Sequence, residues 1–313
     1  MGSQDKQIKP MKKIIILFVW ILVGASAFAQ QDAQYTQYMY NTININPAYA
    51  GSRGVFSVFG LHRTQWVGLD GAPVTNTVSI NTPISGTNLG MGLSFVNDRI
   101  GPTDENAISA DISYTVKTSE TFKLSFGIKA TANMFNLDVN KLNPADQGDP
   151  RLMNLNNNFT PNMGAGVYFH SDKMYLGLSV PNFFETHRYD DNSVSVNQER
   201  MNFYLIGGYV FDLSQSIKFK PAFLMKAVKG APLQADVSGN FLFNDKLTLG
   251  VAWRWDAAVS AMAGFQITEG LFVGYGYDME TTKLANYNSG SHEVFLRFEL
   301  FSKFNKVTSP RFF

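Results

Sequence analysis

Between residues 107 and 135, apolar and polar positions alternate with a period of two. Ile108, Ala110, Ile112, Tyr114 and Val116 interleave with Ser109, Asp111, Ser113 and Thr115, which puts the two sets on opposite faces of a strand rather than on one helical stripe. After a polar turn at 117–120, Phe122, Leu124, Phe126, Ile128, Ala130, Ala132 and Met134 alternate with Lys123, Ser125, Gly127, Lys129, Thr131 and Asn133. The two runs predict a hairpin with one apolar and one wet face. Its second strand spans about 45 Å at roughly 3.3 Å per residue. Strands of soluble sandwiches usually stop after about 5 to 10 residues, whereas a tilted membrane strand needs about 9 to 11 and can project beyond the lipid.

The same pattern recurs along the chain. Fourteen candidate strands centre near Phe59, Val78, Leu93, Ile112, Ile128, Val167, Leu178, Leu205, Phe219, Val237, Val251, Ala263, Val273 and Leu296. Connections after even-numbered strands are short, at 83–87, 117–120, 171–172, 212–215, 244–245 and 268–270, as periplasmic turns of an outer-membrane barrel are. Several after odd-numbered strands are long, at 97–105, 136–161, 182–199 and 279–290, as extracellular loops are; those near 227–231 and at Asp256 are short. The prediction is an all-β fold: a closed transmembrane antiparallel β-barrel of about 14 strands over 55–301, set in the lipid of a Gram-negative outer membrane. Trp66, Trp253, Trp255, Tyr275 and Tyr277 fall near strand ends, where aromatic girdles meet headgroups.

Composition fits this reading. Hydrophobic residues make up 45% of 313, and mean hydropathy is −0.09, because lipid-facing and lumen-facing positions cancel. A net charge of +1 gives no basic field for nucleic acid. The absence of cysteine excludes disulfides, thiol catalysis, Cys-type zinc sites and a lipid-modified cysteine at a mature N-terminus.

Lys12 and Lys13 precede an apolar run over 14–23, and Ala27, Phe28 and Ala29 supply a small-x-small cleavage pattern. Residues 1–29 therefore read as a signal peptide, with 1–10 an upstream start or an added leader. The run is too short for a membrane-spanning helix. Residues 30–54 form a Tyr- and Asn-rich pre-barrel segment without clean alternation. Within it Asn46, Pro47, Ala48, Tyr49, Ala50 and Gly51 read as a turn, equally open to the roles of connector, lumen plug or partner site. Residues 302–313 read as a short basic periplasmic tail, so that both termini are expected in the periplasm.

Inward positions include Asp111, Lys123, Lys129, Lys218, Lys220, Lys226, Asp236, Arg254, Glu293 and Arg297. Asp111 neighbours the strand of Lys123 and Lys129, and Asp236 that of Lys218 and Lys220, so mutual neutralisation is expected rather than the one-sign ring of an ion-selective pore. Of the histidines, His170 is placed at a short turn and His187 in an outer loop; His62 and His292 lie on the adjoining first and last strands, leaving a pair open. Asp138, Asn140, Asp146 and Asp149 lack calcium-loop spacing. The sequence predicts no enzyme, no cofactor and no catalytic or metal-ligating residue.

Several segments in order resemble the PorP/SprF family of type IX secretion system membrane proteins. They are Tyr35, Thr36, Gln37, Tyr38, Met39, then Asn46 to Gly51; Arg63, Gln65, Trp66 with Gly71, Ala72, Pro73; Ser179, Val180, Pro181, Asn182; Lys220, Pro221 and Lys226; Pro232, Gln234, Asp236; Gly274, Tyr275, Gly276, Tyr277, Asp278; and Ser291, His292, Glu293. Ala33 departs from a proline that relatives often carry. The resemblance implies a non-enzymatic barrel of the type IX secretion and gliding machinery that docks, exports or retains a secreted adhesin through its C-terminal domain. It also implies partners among type IX components of the periplasm or outer membrane. A passive outer-membrane pore for small solutes is the alternative. The candidate partner-binding or structural residues are Asn46, Pro47, Tyr49, Gly51, Arg63, Trp66, Asp278, His292 and Glu293.

Overall fold

The computed structural model describes residues 36, 38–141, 155–187, 198–199 and 201–300. Fourteen antiparallel strands form the wall: β1 (Phe56–Thr64), β2 (Val74–Pro83), β3 (Leu89–Ile100), β4 (Thr103–Lys117), β5 (Lys123–Leu137), β6 (Leu155–His170), β7 (Met174–Val180), β8 (Asn202–Tyr209), β9 (Ile217–Val228), β10 (Gln234–Phe243), β11 (Leu247–Arg254), β12 (Ala258–Gln266), β13 (Leu271–Glu280) and β14 (Ser291–Leu300). Each pairs with its chain neighbour, and β1 closes on β14 from Phe56↔Leu300 to Thr64↔His292. All fourteen predicted centres lie on separate strands. The β8–β9 ladder is interrupted beside Pro221, which brings no N–H to it, and resumes in the same register at Phe211↔Phe219.

Polarity is inside out, as lipid demands. Val251 is 64% exposed and Ile128 58%, whereas Lys220 and Glu293 are fully buried. Outward residues face acyl chains and inward ones face the lumen. Aromatic rings mark both rims. Tyr209, Phe211, Phe219, Phe241 and Phe243 form a chain of ring contacts at the short-turn end, while Trp253 stacks on Trp255 at the other.

Residues 97–105 depart from the expected long loop. β3 and β4 continue as a ladder to Ile100↔Thr103, leaving Gly101 and Pro102 as the turn. Asn97 Nδ2 donates to Asp104 Oδ1 at 2.9 Å and Asn106 Oδ1 at 3.0 Å, and Arg99 pairs with Asp104 at 3.1 Å. These polar residues are cross-strand partners at the rim, where both faces tolerate polarity. The remaining long connections follow β5, β7 and β13; 142–154, 188–197, the leader and the basic tail lie outside the described residues.

Candidate functional site

Residues 38–53, before β1, lie inside the barrel. They fold as a 3-10 turn (Tyr38–Tyr40), a helical turn (Thr42–Ile45) and a second 3-10 turn (Pro47–Tyr49). Tyr38, Met39, Tyr40, Ile43, Ala48, Tyr49 and Ala50 are buried against the wall. Such short helical pieces are not stable alone, so packing inside the lumen fixes their shape.

The wall is carved to receive this plug. Gly90 and Gly92 on β3, Gly127 on β5, Gly166 on β6 and Gly177 on β7 all face inward, and a Cβ at any of them would overlap Ala50, Ile43, Ala48 or Asn46. Asn46 is wholly buried between Gly166 and Gly177; its Oδ1 accepts from Ala48 N at 3.0 Å and its Nδ2 donates to Val167 O at 3.0 Å. Pro47 supplies the preset φ of the second turn. Ser179 Oγ donates to Ile45 O at 2.6 Å and Ser113 Oγ to Ala50 O at 2.7 Å, satisfying two plug carbonyls. Gly51 has φ of +69° and abuts Gly90, a conformation and a clearance that a side chain would spoil.

Aromatic and charged groups hold the two ends. Tyr40 stacks on Phe272 at 5.4 Å, Lys220 Nζ lies 5.3 Å from its ring centre, and the Arg297 guanidinium lies 5.7 Å away. Tyr49 meets Tyr168 edge-on at 5.6 Å. At the short-turn end Arg53 pairs with Glu299. At the long-loop end Arg63 Nη2 binds Asp278 Oδ2 at 2.7 Å, and Arg63 Nη1 binds Glu293 Oε2 at 3.2 Å and Thr36 Oγ1 at 2.5 Å. The Thr36 hydroxyl donates to Asp278 Oδ2 at 2.6 Å, and Thr36 N donates to Glu293 Oε2 at 3.0 Å. This latch ties the plug to β1, β13 and β14 across the closing seam. Thr36 thus lies near the long-loop ends of those strands, and the plug descends from there to the start of β1.

Of the predicted residues, the lumen gathers Asn46, Pro47, Tyr49 and Gly51 in the plug and Arg63, Asp278 and Glu293 in the latch. Trp66 sits above the latch, its indole donating to Glu280 Oε1 at 2.8 Å and its backbone N to Ser291 Oγ at 3.2 Å. His292 points outward, bonded to Tyr275 at 2.6 Å, and does not join them. His62 also points outward, to Asn76 Oδ1 at 2.7 Å, so the two histidines serve different partners rather than one site. Asp111 meets Lys129 at 2.8 Å as expected, but Asp236 pairs with Arg254 at 3.0 Å instead of Lys218 or Lys220. Lys218 bonds Asp245 at the rim and Lys220 faces Tyr40. Sequence reasoning missed Thr36, Arg53 and the receiving glycines. The signal for the last was glycine on the wet face of four strands at heights that match the plug.

The family described as type IX secretion system membrane protein PorP/SprF matches residues 27–298, most of the chain. The chain belongs to the PorP/SprF family. No curated protein matches this PorP/SprF member in sequence. Solved structures that resemble it include the Acinetobacter baumannii outer membrane protein Omp33, at 9% identity and TM-score 0.48 over 79% of this chain and 98% of that one. Another is the Ralstonia pickettii toluene transporter TbuX, at 10% identity and TM-score 0.49 over 88% and 95%. Family membership and the barrel fold make this an outer-membrane component of type IX secretion.

Proposed function

We propose that this PorP/SprF barrel is a non-enzymatic docking and attachment component that engages a secreted adhesin through the adhesin's C-terminal domain. Its short-turn rim would face periplasmic parts of the apparatus and its long loops the cell exterior. The observation that carries the reading is the plug: residues 38–53 occupy the lumen with wall glycines carved to fit them, an arrangement at odds with free diffusion of solutes. A barrel whose interior is protein offers its rims and outer wall as working surfaces. The test is a deletion strain. Loss of one surface protein from the cell, with small-solute uptake unchanged, is the expected result; normal surface display with reduced uptake would return the pore reading.

A further inference from the structure

On one arc of the outer wall the apolar series gives way to hydrogen-bonding groups. In β3 the outward residues Met91, Leu93 and Phe95 are exposed to lipid, and the next outward residue towards the long loops is Asn97. Asn97 pairs across the ladders with Asn76 on β2 and with Asn106 on β4, and Asn76 pairs with His62 on β1. Cross-strand partners share a face. The four side chains therefore form one row on the outside of the barrel, about 14 Å long at roughly 4.8 Å per strand. Below the row, Val78, Phe95 and Ile108 are exposed and apolar.

The row is hydrogen-bonded along its length. His62 Nδ1 bonds Asn76 Oδ1 at 2.7 Å, Asn76 Nδ2 donates to Asn97 Oδ1 at 3.4 Å, and Asn97 Nδ2 donates to Asn106 Oδ1 at 3.0 Å. At one end Arg99, the next outward residue on β3, holds Asp104 through Nε and Nη2 and leaves Nη1 for an anion, with its side chain 61% exposed. At the other end His62 Nε2 meets Thr64 Oγ1 at 3.1 Å; Thr64 is the cross-strand partner of His292, whose ring lies 5.2 Å from that of Tyr277. All of these strands and the connections between them are among the described residues. On the opposite wall the outward residues towards the long loops are Met225, Trp253, Trp255 and Val259, so the hydrogen-bonding surface is local and not a ring. Amides turned towards hydrocarbon are strongly disfavoured. The row therefore belongs in the headgroup zone of the leaflet on the long-loop side. In the orientation of the proposed function, on which this reading rests, that leaflet is the outer one, whose lipid carries phosphorylated amino sugars.

We infer that this arc is a binding site for the headgroup of the outer leaflet's phosphorylated glycolipid. The amide row meets sugar hydroxyls, the rings of His292 and Tyr277 offer faces to a pyranose, and Arg99 Nη1 takes a phosphate oxygen. The test is native mass spectrometry of the full-length protein taken from its native outer membrane in mild detergent, with a heat-shift gel confirming a folded barrel. The expected result is glycolipid that stays on the wild type and falls about tenfold or more in occupancy in the triple variant Asn76→Leu, Asn97→Leu, Asn106→Leu. Arg99→Gln, which leaves every wall amide in place, lowers retention by itself and carries the test if the triple variant does not fold. Trp253→Leu on the opposite wall keeps the wild-type load. Phospholipid held in place of the glycolipid, and lost in the same variants, would put the row in the other leaflet and overturn the orientation together with the site. No lipid on the wild type, a polypeptide in its place, or equal retention in all four proteins would overturn the site alone.

Discussion

Gly127 shows at the residue scale how the lumen is specified. On a strand interior glycine is unfavourable, yet here a Cβ would overlap the Pro47–Ala48 backbone. Gly127→Val should therefore leave the β4–β5–β6 pairing intact and expel or distort the plug, costing about 1 to 3 kcal/mol. Denaturant unfolding in detergent, alongside protease sensitivity around residues 38–50, checks this; an unchanged midpoint with a protected plug would count against the docking geometry. Arg63 makes a sharper case. Removing it leaves Asp278 and Glu293 buried without their shared cation, so Arg63→Ala should destabilise by about 3 to 5 kcal/mol. A triple Arg63→Met, Asp278→Asn, Glu293→Gln replacement should recover much of that loss, because no uncompensated charge remains. Stability of the three proteins in a urea series decides it. Glu293 stood out in the sequence as a charged residue on an inward position, and Arg63 and Asp278 through the family resemblance. Thr36 appeared only within the N-terminal family signature and was not a candidate site residue, because a threonine joins two carboxylates and a guanidinium only once the chain has folded back through the lumen.

At the scale of elements, strands were legible while the plug was only one of several open roles for its segment, for one physical reason. A strand between lipid and lumen meets two solvents on opposite faces, so its residues alternate. The plug meets protein on every side, and Tyr38, Met39, Ile43 and Tyr49 follow no period. The hairpin of β3 and β4 failed as a reading for the converse reason: above the lipid both its faces are polar, and Asn97, Asp98, Asp104 and Glu105 looked like loop residues although they pair across the ladder. The plug's own consequence can be measured. In planar bilayers the intact protein should show little or no steady conductance, and a variant lacking residues 38–50 should open large, long-lived channels. Equal conductance of the two would mean that the segment does not occlude the barrel.

For the whole molecule, the barrel supplies a lipid-facing shell, the plug lies inside its lumen, and on the proposed function the rims are the surfaces that meet other proteins. That division of labour fits the PorP/SprF family's place in type IX secretion and makes partnership the central claim. The direct measurement is a gentle-detergent pull-down of the tagged protein from its native outer membrane, with each co-purifying chain identified by mass spectrometry. Recovery of the C-terminal domain of a large surface protein, with or without type IX components, is the predicted result. Recovery of the barrel alone, or only with copies of itself, would contradict it.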